Sequence, residues 1–507
     1  MLRVEVKNLG PIAEGAIQLR PLTIFIGRNS SGKSYMAMLI YCLAKAFRQT
    51  FPTAYFSQWF PRDPFSAFMT EVFNQDEAFR SMWDKWIIEY VRLAERQEII
   101  INSMPQPVID FLIKSIRAFI EKDSALRLTS EIKRCYGASI SDVKRKGEQK
   151  GALVMSISQE QPPLQVSFST HPTGQMPFAM PGGGTAYFQL KTEALQFKMT
   201  SLPVKVRIPP LPLRLRKESE KEANAEVSKN LFLQTARQIS GTIFHDLLSS
   251  IYYLPAARSG ILQGHKGLAR YFMEGASKVG IEEPVEIPKF GGIVVDFLDS
   301  LLSIEPSTET ELTELAGLLE SDVVKGKVIM EPEKHLYPEI LYLSEGTGKI
   351  GLHRVSSGIS ELAPMILFLR HVVEPGDTLI IEEPEAHLHP SAQRKLAKVL
   401  VNLDRANTRV LITTHSEYLV DQLSNYIRLG QMSVDEREKQ GFAEQDYLLT
   451  EDIGVHLFKL DEAKAGTVVE RIEVTPEDGI ADEEFTKVDK ELYEETYQLR
   501  RKLLAKS

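Results

Sequence analysis

Gly27-Arg28-Asn29-Ser30-Ser31-Gly32-Lys33-Ser34 has the Gly-x-x-x-x-Gly-Lys-Ser spacing of a phosphate-cradling P-loop. It follows the apolar, β-rich run Leu22-Thr23-Ile24-Phe25-Ile26 and opens a helix-like run from Tyr35 to Phe47. That placement lets the backbone N–H groups of the motif converge on a phosphate chain at a helix N-terminus. Gly27 and Gly32 permit the tight turn and close backbone approach. Lys33 is expected to reach the terminal phosphates of ATP, and the Ser34 hydroxyl to coordinate magnesium. The competing reading is a chance match on a glycine- and serine-rich turn, which the strand before and the helix after weigh against.

A second strand carries acids. Asp377-Thr378-Leu379-Ile380-Ile381-Glu382-Glu383-Pro384 is a continuous apolar stretch bounded by turn signals, as in the core of a parallel sheet. Of the two acids at its end, Glu382 is assigned to the metal and Glu383 to orienting a water against the γ-phosphate. Two solvated acids before a proline turn are the alternative. Arg409-Val410-Leu411-Ile412-Thr413-Thr414-His415-Ser416 repeats the layout, a short apolar strand and then a histidine at a loop. Parallel strands of a doubly wound sheet present their carboxyl ends to one crevice, so His415 is expected at the γ-phosphate. Upstream, Val355-Ser356-Ser357-Gly358-Ile359-Ser360-Glu361-Leu362 leads into an apolar helix-like run, Ala363 to Val373. Alone, Ser-Ser-Gly before a helix is a cap; with the other motifs it is a second anion site at a helix N-terminus.

P-loop, Ser-Ser-Gly helix, double-acid strand and strand-end histidine occur in the order of the ABC-type ATPases, which the chain resembles. The opening run Leu2-Arg3-Val4-Glu5-Val6-Lys7-Asn8-Leu9-Gly10-Pro11-Ile12 is similar to the RecF and SMC branch rather than to transporters. LIIEEPEAHLHP and LITTHS are similar to the AAA-15/AAA-21 group of ATPases, which includes the ATPase halves of OLD-family nucleases. Tyr253-Leu254-Pro255-Ala256-Ala257-Arg258-Ser259-Gly260 also looks like a segment of that group. The resemblance covers residues 1–45 and 250–430, with a weaker tail to Lys502. It implies an ATP- and magnesium-dependent ATPase in which Ser356, Ser357 and Gly358 close over ATP held by another protomer. A homodimer or higher homo-oligomer of paired heads is then expected. Glu382 replaces the aspartate usual on the metal strand, and His389 stands where transporters carry an aspartate, which leaves cross-dimer signalling through that loop open. No glutamine is singled out as a metal contact.

The expected fold class is α/β, a P-loop NTPase of ABC-ATPase head type with a large mixed α and β insertion. The head is expected from residues 1–45 and 250–430, the insertion from 46–249, and a C-terminal extension packed on the head from 431–507. With 507 residues, 43% of them hydrophobic, the chain is long enough to bury a large core. A net charge of −8 gives no global attraction to nucleic acid, so any such contact must be local. No leader or membrane span is expected, and a cytoplasmic location fits. Cys42 and Cys135, the two cysteines, make neither a disulfide framework nor a zinc hook. About ninety residues follow His415, too few for a Toprim nuclease of OLD type, so nuclease chemistry, if involved, is expected on another chain.

In the insertion, the aromatics Phe51, Tyr55, Phe56, Trp59, Phe60, Phe65, Phe68, Phe73, Phe79, Trp83, Trp86 and Tyr90 read as core, with a partner or base-stacking surface as the rival. Strands are expected at 153–158, 164–169 and 186–199, around a flexible turn Pro181-Gly182-Gly183-Gly184. Lys205, Arg207, Arg214, Arg216 and Lys217, and the earlier Lys144-Arg145-Lys146, form basic clusters able to grip phosphates, although Glu218, Glu220 and Glu222 follow at once. Two roles are compatible with this reading: a DNA-linked ATPase in repair or anti-phage defence, or a nucleotide-controlled scaffold that holds or frees a nuclease or toxin partner.

Overall fold

The computed structural model describes residues 2–50, 64–93, 98–100, 104–138, 143, 145, 152–157, 164–169, 178–179, 185–190, 205–207, 228–237, 240, 249–264, 290–331, 338–344, 346, 348–481 and 483–504. These fall into two compact units, one of residues 1–10 and 39–250, the other of 11–38 and 251–507.

In the first unit an antiparallel sheet runs from Leu2–Leu9 through Ala152–Ile157, Leu164–Ser169 and Thr185–Leu190 to Phe178–Ala179. The strand anticipated at 164–169 is there, that at 153–158 spans Ala152–Ile157, and that at 186–199 is a strand only over Thr185–Leu190. Helices Pro64–Gln75, Glu77–Leu93 and Gln106–Tyr136 accompany it. Their aromatics are core: Phe65, Phe73, Phe79 and Trp83 are buried, Phe79 stacks on Phe111 with centroids 3.5 Å apart, and the Trp83 indole donates to Ser228 O at 3.1 Å. Burial of the indole with its N–H satisfied is what a packing role requires. Cys42 and Cys135, distant in sequence, are buried beside one another without a disulfide between them. A hydrogen bond with Cys135, then burial, pushes the Cys42 thiol up. Phe51 to Phe60, the turn Pro181–Gly184, Lys144, Lys146, Arg214, Arg216 and Lys217 lie outside the described residues, as do the side chains of Tyr90, Lys205 and Arg207.

The second unit holds the motifs. Its strands are β1 (Ile12–Leu19), β2 (Leu22–Gly27), β3 (Ile251–Leu254), β4 (Thr378–Glu382), β5 (Arg409–Thr413), β6 (Ile453–Asp461) and β7 (Gly466–Ile472), in the order β3-β4-β5-β2-β6-β7-β1. From β3 to β6 every neighbouring pair is parallel. The buried runs Leu379–Ile381 and Leu22–Ile26 read as continuous apolar stretches because both faces of such a sheet are covered. Helices α1 (Lys33–Thr50), α2 (Ser357–His371), α3 (Pro390–Arg405) and α4 (Glu417–Leu429) follow the loops at the strand ends. Leu379 and Ile381 share one core cluster with Leu22, Ile24, Val410, Ile412 and the inner faces of α2, α3 and α4. The two-residue side-chain period turns Ile380 and Glu382 to the opposite face. β6 and β7 come from beyond residue 430, the segment expected as an extension, and β6 pairs directly with the P-loop strand, Ile453 opposite Leu22 through Phe458 opposite Gly27.

Candidate nucleotide-binding site

Register fixes the site. Glu382 pairs with Thr413, and Thr413 with Phe25, so the acidic strand, the histidine strand and the P-loop strand end side by side. The ladder continues past the strand ends: Glu383 N donates to Thr413 O, and Thr414 N to Phe25 O, both at 2.9 Å.

Both P-loop glycines have positive φ. Gly27 has φ 137°, and a Cβ there would stand 2.5 Å from Phe458 O on β6, so only glycine fits. Gly32, with φ 95°, would place a Cβ 2.9 Å from Pro11. Ser30 takes a left-handed φ of 61°, and Ser31 Oγ is buried without a protein partner. Lys33 is buried, and its ammonium donates to Gly27 O at 2.8 Å and Arg28 O at 2.9 Å, folding back onto the loop. Burial lowers its pKa to about 8 against the raising effect of Glu383 and Glu385.

Asn29, Ser30, Ser31, Gly32, Lys33, Ser34, Tyr35, Glu383 and His415 line an open cavity of about 600 Å³. Glu383 sits in it with φ 43°, a left-handed backbone that costs on the order of 1–3 kcal/mol for a non-glycine residue and persists where neighbours over-determine it. Its Oε1 lies 3.8 Å from His415 Nε2. Burial and the Lys33 charge lower the His415 pKa, so the imidazole is neutral near pH 7 and the contact is not an ion pair. Glu382 is 8% exposed and outside the cavity lining: Oε1 accepts from the Tyr253 hydroxyl at 2.8 Å and Oε2 from Ala256 N at 3.0 Å. Each oxygen keeps a further lone pair.

Ser356 and Ser357 are exposed at the start of α2, where Ser356 makes no side-chain cap bond and the first N–H groups have no intrahelical acceptor. Neither they nor Gly358 line the P-loop cavity. Gly358 has a packing reason of its own, because a Cβ there would come within 3.0 Å of His387 O and 3.2 Å of Leu388. His389 caps α3, accepting from Ser391 N at 3.2 Å.

Sequence reasoning missed three contributors. Glu385 is buried, and its Oε1 accepts from Thr414 Oγ1 at 2.6 Å and His415 N at 2.9 Å, fixing the histidine loop. Burial raises its pKa against those hydrogen bonds. Arg258 and Glu361, both 1% exposed, meet behind the acidic strand end. Arg258 stands in the segment 253–260 and Glu361 in the segment 355–362, and neither sequence stretch says that the two meet.

A P-loop after a central parallel strand, an acid-ended neighbour and a histidine loop, all at the carboxyl ends of adjacent strands, make this a P-loop NTPase fold of the kind seen in ABC-type heads. Residues 309–421 match the AAA_21 family, described as "AAA domain, putative AbiEii toxin, Type IV TA system". No curated protein sequence matches the chain. Similar solved structures include an SMC head bound to the C-terminal winged-helix domain of ScpA (11% identity, 93% of this chain and 97% of that one, TM-score 0.39). Two others are the SMC head domain of Thermotoga maritima (10%, 93% and 98%, 0.33) and a Pyrococcus furiosus Smc head with an extended coiled coil bound to the ScpA C-terminal domain (12%, 97% and 99%, 0.35). Those likenesses are remote, and the assignment rests on the topology and motif placement above. No helix among the described residues is long and apolar enough to cross a membrane.

Proposed function

We propose that the protein binds and hydrolyses ATP at this cavity and that two copies pair their heads around the nucleotide. What carries the reading is the convergence of Lys33, Glu383 and His415 with the P-loop residues Asn29 to Ser34 on one open cavity roomy enough for a nucleotide's phosphates. Ser31, with its partnerless hydroxyl, and the loop N–H groups hold the phosphates. Lys33 exchanges its two carbonyl acceptors for phosphate oxygens. Glu383 accepts a hydrogen bond from the attacking water and holds it against the γ-phosphate, and neutral His415 contacts a γ-phosphate oxygen. Phosphoryl transfer needs little covalent help from the protein, so positioning of this kind is the main contribution.

The residues fit magnesium held chiefly by nucleotide oxygens and water: a hydroxyl at Ser34 and a carboxylate at Glu382 with lone pairs free, but no group of three or more acidic, histidine or cysteine ligands among the described residues. Bound there, the ion would neutralise charge developing on the phosphates.

Head pairing is supported by the exposed Ser356 and Ser357, which with Gly358 form a helix N-terminus suited to an anion yet absent from their own chain's cavity. Hydrolysis then ends the pairing. We place the cycle in a DNA-linked process such as repair or anti-phage defence, with a held or released nuclease or toxin chain as the alternative. ATP turnover measured with and without duplex DNA, over a salt series, tests the placement. DNA stimulation that falls with salt supports it; turnover indifferent to DNA at every salt concentration moves the held-partner reading ahead.

A further inference from the structure

The segment Tyr253–Gly260 joins the acidic strand to the Ser-Ser-Gly helix through one buried side chain. Arg258 Nη1 donates to Glu382 O at 2.7 Å and Pro255 O at 3.2 Å, and Nη2 donates to Glu383 O at 3.3 Å. Its Nε donates to Glu361 O at 3.0 Å and lies 3.4 Å from Glu361 Oε2. Glu361 Oε1 in turn accepts from Ser259 N at 3.2 Å and Ser259 Oγ at 2.5 Å. Glu361 is on α2, in the turn after Ser357 and Gly358. A buried guanidinium that uses its planar fork on successive carbonyls of one strand end fixes the peptide planes there. Those planes belong to Glu382 and to Glu383, whose left-handed φ needs outside support.

We propose that Arg258 is a positioning residue for hydrolysis: it holds the Glu383 backbone so that the carboxylate faces the cavity, and through Glu361 it ties that orientation to the helix that closes over a second copy's ATP. The inference rests on Glu383 orienting the attacking water. Contact at Ser357 and alignment of Glu383 become one event, because both hang on a single buried ion pair. Lysine cannot replace the arginine here, since one ammonium cannot reach carbonyls on both sides and the carboxylate together.

The experiment compares wild type, Arg258→Lys, Glu361→Gln and Glu383→Gln for ATP affinity, by fluorescent-nucleotide titration, and for kcat. Positioning predicts that Arg258→Lys and Glu361→Gln bind ATP within about twofold of wild type while kcat falls about tenfold or more. The near-isosteric Glu361→Gln carries the same test if Arg258→Lys does not fold. Affinity falling in step with kcat makes Arg258 a structural strut and overturns the proposal. Unchanged kcat in both variants, with Glu383→Gln inactive, overturns it while leaving the role of Glu383 intact. Normal turnover in Glu383→Gln removes the role of Glu383 and the proposal with it.

Discussion

Nε2 of His415 stands 3.8 Å from Oε1 of Glu383, too far for a direct hydrogen bond and close enough for both to touch one water or phosphate oxygen. Removing the carboxylate while keeping its shape should therefore spare binding and stop chemistry. In Glu383→Gln, kcat is expected to fall by about 100- to 10,000-fold with ATP still bound, whereas Lys33→Ala loses affinity as well as turnover. Single-turnover hydrolysis beside equilibrium binding checks the pair.

Lys33 gives the site a pH response. Its pKa of about 8 without nucleotide must rise when phosphate becomes its neighbour, so binding favours the protonated form. ATP affinity should be independent of this group below about pH 8 and then fall, at most tenfold per pH unit, as pH rises further. Titrations from pH 6.5 to 9.5 on wild type and Lys33→Met isolate the effect, because titration of the nucleotide itself is common to both. Parallel curves for the two proteins would falsify it.

Pairing of heads is best tested at Ser357, since any side chain at Gly358 would press on the loop at His387 and Leu388 within its own chain. Ser357→Arg should bind ATP and fail to turn it over. Mixed with Lys33→Ala, it should regain up to about a quarter of wild-type sites, because half of randomly formed dimers contain one intact composite site out of two. A mixture as inactive as either parent places catalysis within single chains.

His456, buried on β6 between Phe25 and Gln18, has its pKa lowered to about 4, chiefly by burial. A folded pKa below the unfolded value of 6.5 means that stability is fully present above pH 6.5 and is lost as pH falls towards 4. The loss amounts to roughly 3 kcal/mol over that window. Denaturant melts at pH 7 and pH 4.5 should differ less in His456→Gln than in wild type.

Much of the head was legible because its elements carry local signals. The strand read at Leu22–Ile26 is β2, Leu22–Gly27; the apolar runs before Glu383 and His415 are β4 and β5; the helix expected from Tyr35 begins at Lys33. What stayed hidden was tertiary. Nothing in Ile453–Asp461 says that it pairs with the P-loop strand, since an apolar run specifies a strand and not its neighbour. The hydrogen bonds from Tyr253 and Ala256 that occupy Glu382 come from residues more than a hundred positions upstream. Gly358 reads in sequence as part of a helix cap or an anion site, and its close approach to His387 is visible only in three dimensions.

The position of β2 between β5 and β6 also sets an order of assembly. The P-loop is made early, yet the strands that flank it are residues 409–413 and 453–461. Gly27 owes its shape to the carbonyl of Phe458. At about 5–20 residues per second, a ribosome takes roughly 20 to 90 s to travel from one to the other. Until residue 409 is made, the apolar run Leu22–Ile26 has neither of its two neighbouring strands, and until residue 453 it has β5 alone. An unpaired apolar strand is an aggregation hazard in a growing chain, so the nucleotide strand is the part of this head left open longest during synthesis.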